Sequence, residues 1–226
     1  MPPATPLSTK IAHITAIEAG AEKAFIKADT HLEQALANTA RHGLPAIQVS
    51  ALQGQLLGLQ ARFVNAQTVL EVGALGGYST ICLAKTGARV TSIEIDAKHR
   101  DVALENLRAA GVAEPDMILG DAHEVLPALV REGRVFDMVF IDADWGTQAE
   151  YFDWAVKLTR RNGCIFIDNV VQEIITCHGG SVGEGTLIER IGKAQNVTAT
   201  LVPKISGTEG VVDNASIDGF VIATVN

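Results

Sequence analysis

Cysteine is scarce in this chain of 226 residues: Cys82, Cys164 and Cys177 are odd in number and lack Cys-x-x-Cys spacing. That argues against a disulfide framework or a zinc cluster and predicts reduced thiols, as in a cytoplasmic protein. No apolar run approaches the 18 or so residues needed to cross a bilayer, and the start, Met-Pro-Pro-Ala-Thr-Pro, has no basic head leading into an apolar core. Neither a membrane span nor a secretory leader is expected. Positive charge is also short, with a formal net charge of -8 and no Lys/Arg cluster or RNA-stacking signature. Such a surface repels phosphate backbones, so nucleic acid is excluded as a partner. Repeats and linkers are lacking too, so residues 1–226 read as a single domain, long enough to bury roughly 70% or more of its unfolded surface.

What is present is periodicity of two kinds. From Leu7 to Ala66 apolar residues recur at three- and four-residue spacing, as in Ile11, Ile14 and Ile17 and then Leu32 and Leu36, which predicts a helical cap over residues 1–66. From residue 67 onward the period changes. Short β-rich runs at Thr68–Val72, Arg89–Ile93, Asp116–Leu119, Phe136–Ile141 and Cys164–Ile167 alternate with helical stretches near Tyr78–Lys85, Ala97–Ala110, Ala122–Arg131 and Thr147–Leu158. This alternation predicts an α/β core with a parallel sheet. Gly87, Gly111, Gly133 and Gly163 fall where C′ glycines close helices. Beyond Asn169 a glycine-rich loop over Val170–Glu184 is expected, then a helix near Leu187–Ala194. Two final runs, Thr198–Val202 and Gly219–Thr224, suit an antiparallel edge pair around a flexible Ser206–Ser216 segment.

The first strand breaks into Gly73-Ala-Leu-Gly-Gly-Tyr-Ser79, a glycine turn opening a helix, where backbone N–H groups can face a ligand. The turn is not a dinucleotide fingerprint: counting from Gly73, Leu75 and Tyr78 occupy the positions where pyrophosphate needs glycine. Glu94 closes the second strand, suitably placed to accept hydrogen bonds from both hydroxyls of a ribose. With the Gly120-Asp121-Ala122 turn after the third strand, this chemistry suits an adenosine ligand without pyrophosphate, of which S-adenosylmethionine is the common example. The alternative is purely structural, with glycines closing a tight turn and Glu94 capping a helix. Two later strands end in Asp142-Ala143-Asp144 and Asp168-Asn169, oxygen donors expected at the same carboxyl edge. There too a structural reading exists, since Asp and Asn favour helix starts and turns for their own hydrogen bonds.

At these residues the chain resembles the cation-dependent S-adenosylmethionine O-methyltransferases of the catechol and caffeoyl-coenzyme A type. The likeness runs from about Gly43 to the C-terminus, through Ser50-Ala-Leu-Gln-Gly-Gln-Leu-Leu57, the Glu71–Ser79 turn, Phe140-Ile-Asp-Ala-Asp144 and Ile167-Asp-Asn169. It implies a Rossmann-like class I methyltransferase fold, with a mostly parallel seven-stranded sheet, an antiparallel edge strand and N-terminal helices. By that resemblance Ile47 and Val49 touch the methionine end of the cofactor, and Glu71, Gly73 and Ser79 surround its amino acid moiety. Glu94 takes the ribose, Ala122 lies by the adenine, and Asp144 supports the cofactor near the metal. Asp142, Asp168 and Asn169 correspond to the protein ligands of magnesium or another hard divalent cation, which no soft donor here would displace in favour of zinc. Asp142 thus also counts as catalytic, holding a vicinal diol through the cation for methyl transfer.

One departure matters. The family commonly places a lysine after Asp-Ala-Asp as general base, whereas this chain has Trp145, whose indole cannot accept a proton. Either cation-lowered acidity suffices, or another residue supplies the base, or the reaction differs. His178, in the loop expected to overhang the metal, is the candidate substitute; Trp145 itself reads as a packing lid or a wall for a flat substrate. His13, His31, His42, His99 and His123 lack ligand spacing and read as surface residues. The leading expectation is metal-dependent O-methylation of a small catechol-like aromatic; the alternatives are a related protein with another acceptor or no methylation activity, and a non-catalytic scaffold. An apolar helical cap and the habit of relatives predict a homodimer.

Overall fold

A computed structural model of the chain describes residues 6–112, 115–206 and 216–226. Three helices, α1 (Leu7–Phe25), α2 (Thr30–Arg41) and α3 (Ala51–Phe63), precede strand β1 (Thr68–Val72). Then follow α4 (Tyr78–Ala84), β2 (Arg89–Glu94), α5 (Ala97–Ala109), β3 (Asp116–Leu119), α6 (Ala122–Arg131) and β4 (Phe136–Ile141). A 3-10 turn at Trp145–Thr147 leads into α7 (Gln148–Leu158), β5 (Thr159–Ile167), α8 (Val170–His178), α9 (Leu187–Lys193), β6 (Val197–Ser206) and β7 (Ser216–Val225). Asp96, Asp121 and Thr186 start α5, α6 and α9 by accepting first-turn N–H groups, which is why acidic or hydroxyl residues stand there. Among the described residues no helix is long and apolar enough to cross a membrane.

The strands form one seven-stranded sheet in the order β3-β2-β1-β4-β5-β7-β6. Strands β1 to β5 pair in parallel, and β7 joins β5 and β6 antiparallel, as the last two runs predict. Both faces are covered, so the central strands read as unbroken apolar runs whose members alternate between two cores. Leu70, Val72, Val139, Ile141, Ile165 and Ile167 pack with α6, α7 and α9. Val69, Met138, Phe140, Cys164 and Phe166 face the other way, against Leu57 and Ala61 of α3 and Leu83 of α4. The chain fills one half of the sheet, β1 to β3, before returning to β4 beside β1. This reversal opens a crevice at the carboxyl ends of β1 and β4, where ligands bind in such sheets.

Two expectations are corrected. Val170–His178 is helix, not loop, because Val170 and Ile174 are buried in the core while Asn169 adopts φ 58° to begin the turn. Gly163 is not a helix-closing glycine: α7 passes directly into β5, and Gly163 lies within that strand. A β-carbon there would sit 2.7 Å from the Asp137 carbonyl oxygen, at an irregularity in the β4–β5 register. Gly87, Gly111 and Gly133 do adopt positive φ. Of the segment expected to be flexible, residues 207–215 lie outside the described residues.

Gly73 sits at the crevice itself, with φ +93° and a virtual β-carbon only 2.0 Å from the Asp142 carbonyl oxygen. Gly73→Ala must both strain the backbone and push β1 and β4 apart, so we expect a loss of about 3 kcal/mol or more in urea unfolding. Gly87→Ala, with positive φ but open space around it, should cost roughly 1 kcal/mol.

Candidate active site

The crevice is a cavity of about 870 Å³. Strand order arranges its chemistry in a row along the sheet edge. Ala122 follows β3, Glu94 ends β2, Gly73 follows β1, Asp142 follows β4, and Asp168 and Asn169 follow β5.

In the half formed by β1 to β3, Gly73, Ser79, Glu94 and Ala122 line the cavity, as do Ile47 and Val49 from the segment before α3. The turn is held from below. Glu94 Oε2 accepts from the N–H groups of Ala74 (3.1 Å) and Leu75 (2.8 Å), and Oε1 accepts from the Asp96 N–H (2.9 Å). Glu94 therefore clamps the glycine turn, with Leu75 held at φ 49°; Oε2 is used up by its two N–H donors, and Oε1 keeps a lone pair for a ligand hydroxyl. Two turn N–H groups are thereby satisfied inside the protein instead of facing a ligand. Glu71 is fully buried beneath this floor and does not line the cavity. Its Oε2 accepts from the hydroxyls of Thr80 and Ser92, its Oε1 has no partner, and burial raises its pKa. Ser79, which does line the cavity, favours the ionised form of Glu71.

In the other half Asp142, Asp144, Trp145 and Asn169 line the wall. Asp144 caps no backbone group. It accepts from Tyr151 Oη at 2.7 Å and from the Thr147 hydroxyl, which fixes both carboxylate oxygens at the cavity edge. Burial, with help from the carboxylates of Asp168 and Glu71, pushes Asp142 up to about 8. Asp168, only 4% exposed, is shifted upward too, again chiefly by burial, while Lys204 and Gln53 favour its charged form. The Asp168 Oδ1 atom and the Gln53 amide nitrogen are both buried without a hydrogen-bond partner. Gln53 is held instead through its oxygen, which accepts from Lys204 Nζ at 2.7 Å. Buried acids without partners are costly unless something positive joins them.

These donors fit a hard cation. Among the described residues no group of three His, Cys, Asp or Glu side chains is gathered to hold a metal. The available set is two carboxylates and one amide oxygen, all hard donors. The unpartnered Asp168 Oδ1 is the free lone pair that such an ion would occupy.

His178 is placed otherwise than expected. It closes α8 with Nε2 3.0 Å from Glu173 Oε1, and it does not line the cavity, because the residues before it wind into a helix. The surface reading of His99 is also corrected: His99 lines the cavity with Nδ1 3.8 Å from Glu94 Oε1. Tyr151, Gln172 and Asp218 line it as well. Tyr151 falls in an expected helix and Gln172 in an expected loop, with no local pattern marking either as a site residue; Asp218 sits on a distant antiparallel strand and has no such signal.

The profile of an O-methyltransferase family matches residues 22–182. The chain belongs to that family. A catechol O-methyltransferase from Mycobacterium tuberculosis is 37% identical over 221 residues, spanning 92% of this chain and 94% of the relative. Among solved structures, an O-methyltransferase from Bacillus cereus in complex with SAH superposes with TM-score 0.84 at 34% identity, over 96% of this chain and 100% of that one. The O-methyltransferase TomG from Streptomyces achromogenes, in complex with SAM, gives 0.82 at 31% identity over 98% and 100%. The seven-stranded sheet of this O-methyltransferase is thus the architecture of its relatives.

The raised acids make stability depend on pH. An exposed Asp releases its proton near pH 4, whereas folded Asp142 keeps it up to about 8. Over that interval the folded protein binds more protons than the unfolded chain, so the contribution of this group is full below pH 4 and is lost as pH rises through about 8. In EDTA, the melting temperature of the wild type should therefore fall relative to that of Asp142→Asn between pH 5 and pH 8.5. Parallel melting curves across that range would contradict the assignment.

Proposed function

We propose that this O-methyltransferase moves a methyl group from S-adenosylmethionine to one hydroxyl of a small catechol-like aromatic, with a hard divalent cation at Asp142, Asp168 and Asn169. The observation that carries the reading is one cavity joining a clamped glycine turn and acidic Glu94 to Asp142 and Asn169, with the buried, unpartnered Asp168 Oδ1 next to Asn169 in the chain. At 870 Å³ it has room for a nucleoside cofactor and a small acceptor.

In this reading Glu94 accepts a ribose hydroxyl through Oε1, Ala122 flanks the adenine, and Asp144 holds the cofactor next to Asp142. Gly73, Ser79 and buried Glu71 surround the amino acid end, with Ile47 and Val49 beside it. A divalent cation bound there would supply Lewis acidity, lowering the pKa of a coordinated phenol. Asp142, Asp168 and Asn169 fix where the acceptor oxygen lies, and half-buried Trp145 gives its ring a flat apolar wall. The wall replaces the general base usual in the family, so deprotonation falls to the lowered acidity of the bound hydroxyl. We assign no proton transfer to His178, which is turned to Glu173.

A second reading rests on Trp145 itself: without the lysine, the acceptor is something other than a catechol, or none. Calorimetric titration with SAH, then magnesium-dependent methylation of a catechol panel with an EDTA control, separates the two. The proposal expects micromolar SAH binding and turnover that EDTA abolishes; no SAH binding ends it, and cofactor turnover without a methylated catechol favours the second. Trp145→Ala should weaken acceptor binding by about 1–2 kcal/mol, roughly tenfold in KM, with SAH affinity unchanged.

We also propose a homodimer, formed through the exposed apolar residues Leu7, Ile14, Ile17 and Phe25 of α1 and Phe63 of α3. Elution as a monomer from gel filtration at micromolar concentration would rule it out. A cytoplasmic location suits the three unpaired cysteines; burial pushes Cys82 and Cys164 up to about 12, so they are inert thiols.

A further inference from the structure

We infer that Asp218 is the positioning residue that aims Asn169 at the cation, an inference that rests on the divalent-cation reading above. Asp218 stands near the start of β7, on the antiparallel side of the sheet, yet it lines the cavity and is only 4% exposed. Its Oδ2 accepts from Asn169 Nδ2 at 2.8 Å, and its Oδ1 accepts from the backbone N–H of Gln172 at 3.2 Å. Both carboxylate oxygens are thus committed to the beginning of α8.

The chemistry fixes the orientation of the amide. A carboxylate only accepts, so the side of Asn169 facing Asp218 must be its NH2 group, and the carbonyl oxygen must face the opposite way. An asparagine free to rotate would present nitrogen, useless to a cation, about as readily as oxygen. The backbone reinforces this arrangement: Asn169 sits at φ 58° as the residue before α8, and its own side chain caps no N–H of that helix. Asp218 takes over the capping from across the sheet through Gln172, leaving the Asn169 amide for the cavity. The cation facing Asp218 across the β6–β7 ladder, Lys204, is directed elsewhere: it pairs with Asp218 at Cα, but its Nζ donates to Gln53. Asp218 therefore keeps its full accepting capacity for Asn169 and Gln172. Carboxylates that orient a metal ligand in this way typically set affinity by ten- to a hundredfold.

The alternative is that Asp218 merely caps α8 or adds negative charge near the acid pair, and a double-mutant cycle separates these roles. Mn2+ binding to the whole protein, followed by electron paramagnetic resonance, would be measured for the wild type, D218N, N169A and N169A/D218N, with SAH affinity as the check on folding. Positioning predicts that D218N weakens Mn2+ about tenfold or more in the wild type but less than about threefold in the N169A background, with SAH affinity unchanged. Equal losses in both backgrounds would reduce Asp218 to a charge, and Mn2+ affinity equal to the wild type in D218N would reduce it to a cap; either result overturns the inference while leaving the cation reading intact. If the wild type binds no Mn2+ at all, both fall together. Should D218N not fold, N169D/D218N restores every donor–acceptor pair with the roles exchanged; it should bind Mn2+ within about fivefold of the wild type, and a loss beyond a hundredfold would overturn the inference.

Discussion

The site depends on the near-contact of two backbones where the sheet reverses direction. Strands β1 and β4 lie side by side, and Gly73 passes so close to the Asp142 carbonyl that no side chain fits between them. Hydrogen bonds from Asp142 N to Val72 O and from Asp168 N to Ile141 O, 2.9 and 3.0 Å, extend the parallel ladder one residue past the strand ends. The last residue of each strand is thereby fixed before its loop begins. Rigid strand ends let a few short side chains meet in a crevice without long flexible arms, which would lose entropy on being ordered.

Along that edge the two halves of the sheet are electrostatically different. On the β1–β3 side the acidic residues are satisfied internally: Glu94 by the turn it clamps, and Glu71 in part by hydroxyls beneath the floor. On the β4–β5 side Asp168 is buried with an unpartnered oxygen, half-buried Asp142 lies close enough for Asp168 to help raise its pKa, and Lys204 favours the charged form of both. A cluster of this kind is unfavourable for the empty fold and favourable for a site that receives positive charge. The fold tolerates it because the two apolar cores on either side of the sheet carry the stability.

Much of this was legible in the residues. The glycine turn, Glu94, and the Asp-Ala-Asp and Asp-Asn strand ends are local signals, since each follows an apolar run whose period announces a buried strand. Helix starts were legible for the same reason, through Asp96 and Asp121. Gly163 misled because a glycine after a helix and a glycine at a strand irregularity look alike without the neighbouring Asp137. The glycines at 179, 180, 183 and 185 imply a loop that begins at residue 170, yet the apolar spacing of Val170 and Ile174 is the local mark of the helix that forms there.

By itself the sequence determined the alternation of strand and helix, the carboxyl-edge placement of Gly73, Glu94, Asp142, Asp168 and Asn169, and the kind of ligand such groups can hold. These are properties of short stretches, governed by periodicity and by the chemistry of single side chains. Only the tertiary structure decided that Glu94 clamps its own turn, that His178 turns to Glu173 while His99 faces the cavity, and that Asp218 grips Asn169 from 49 residues away. Those outcomes depend on which elements pack side by side, and an antiparallel strand brings in partners that no local pattern records.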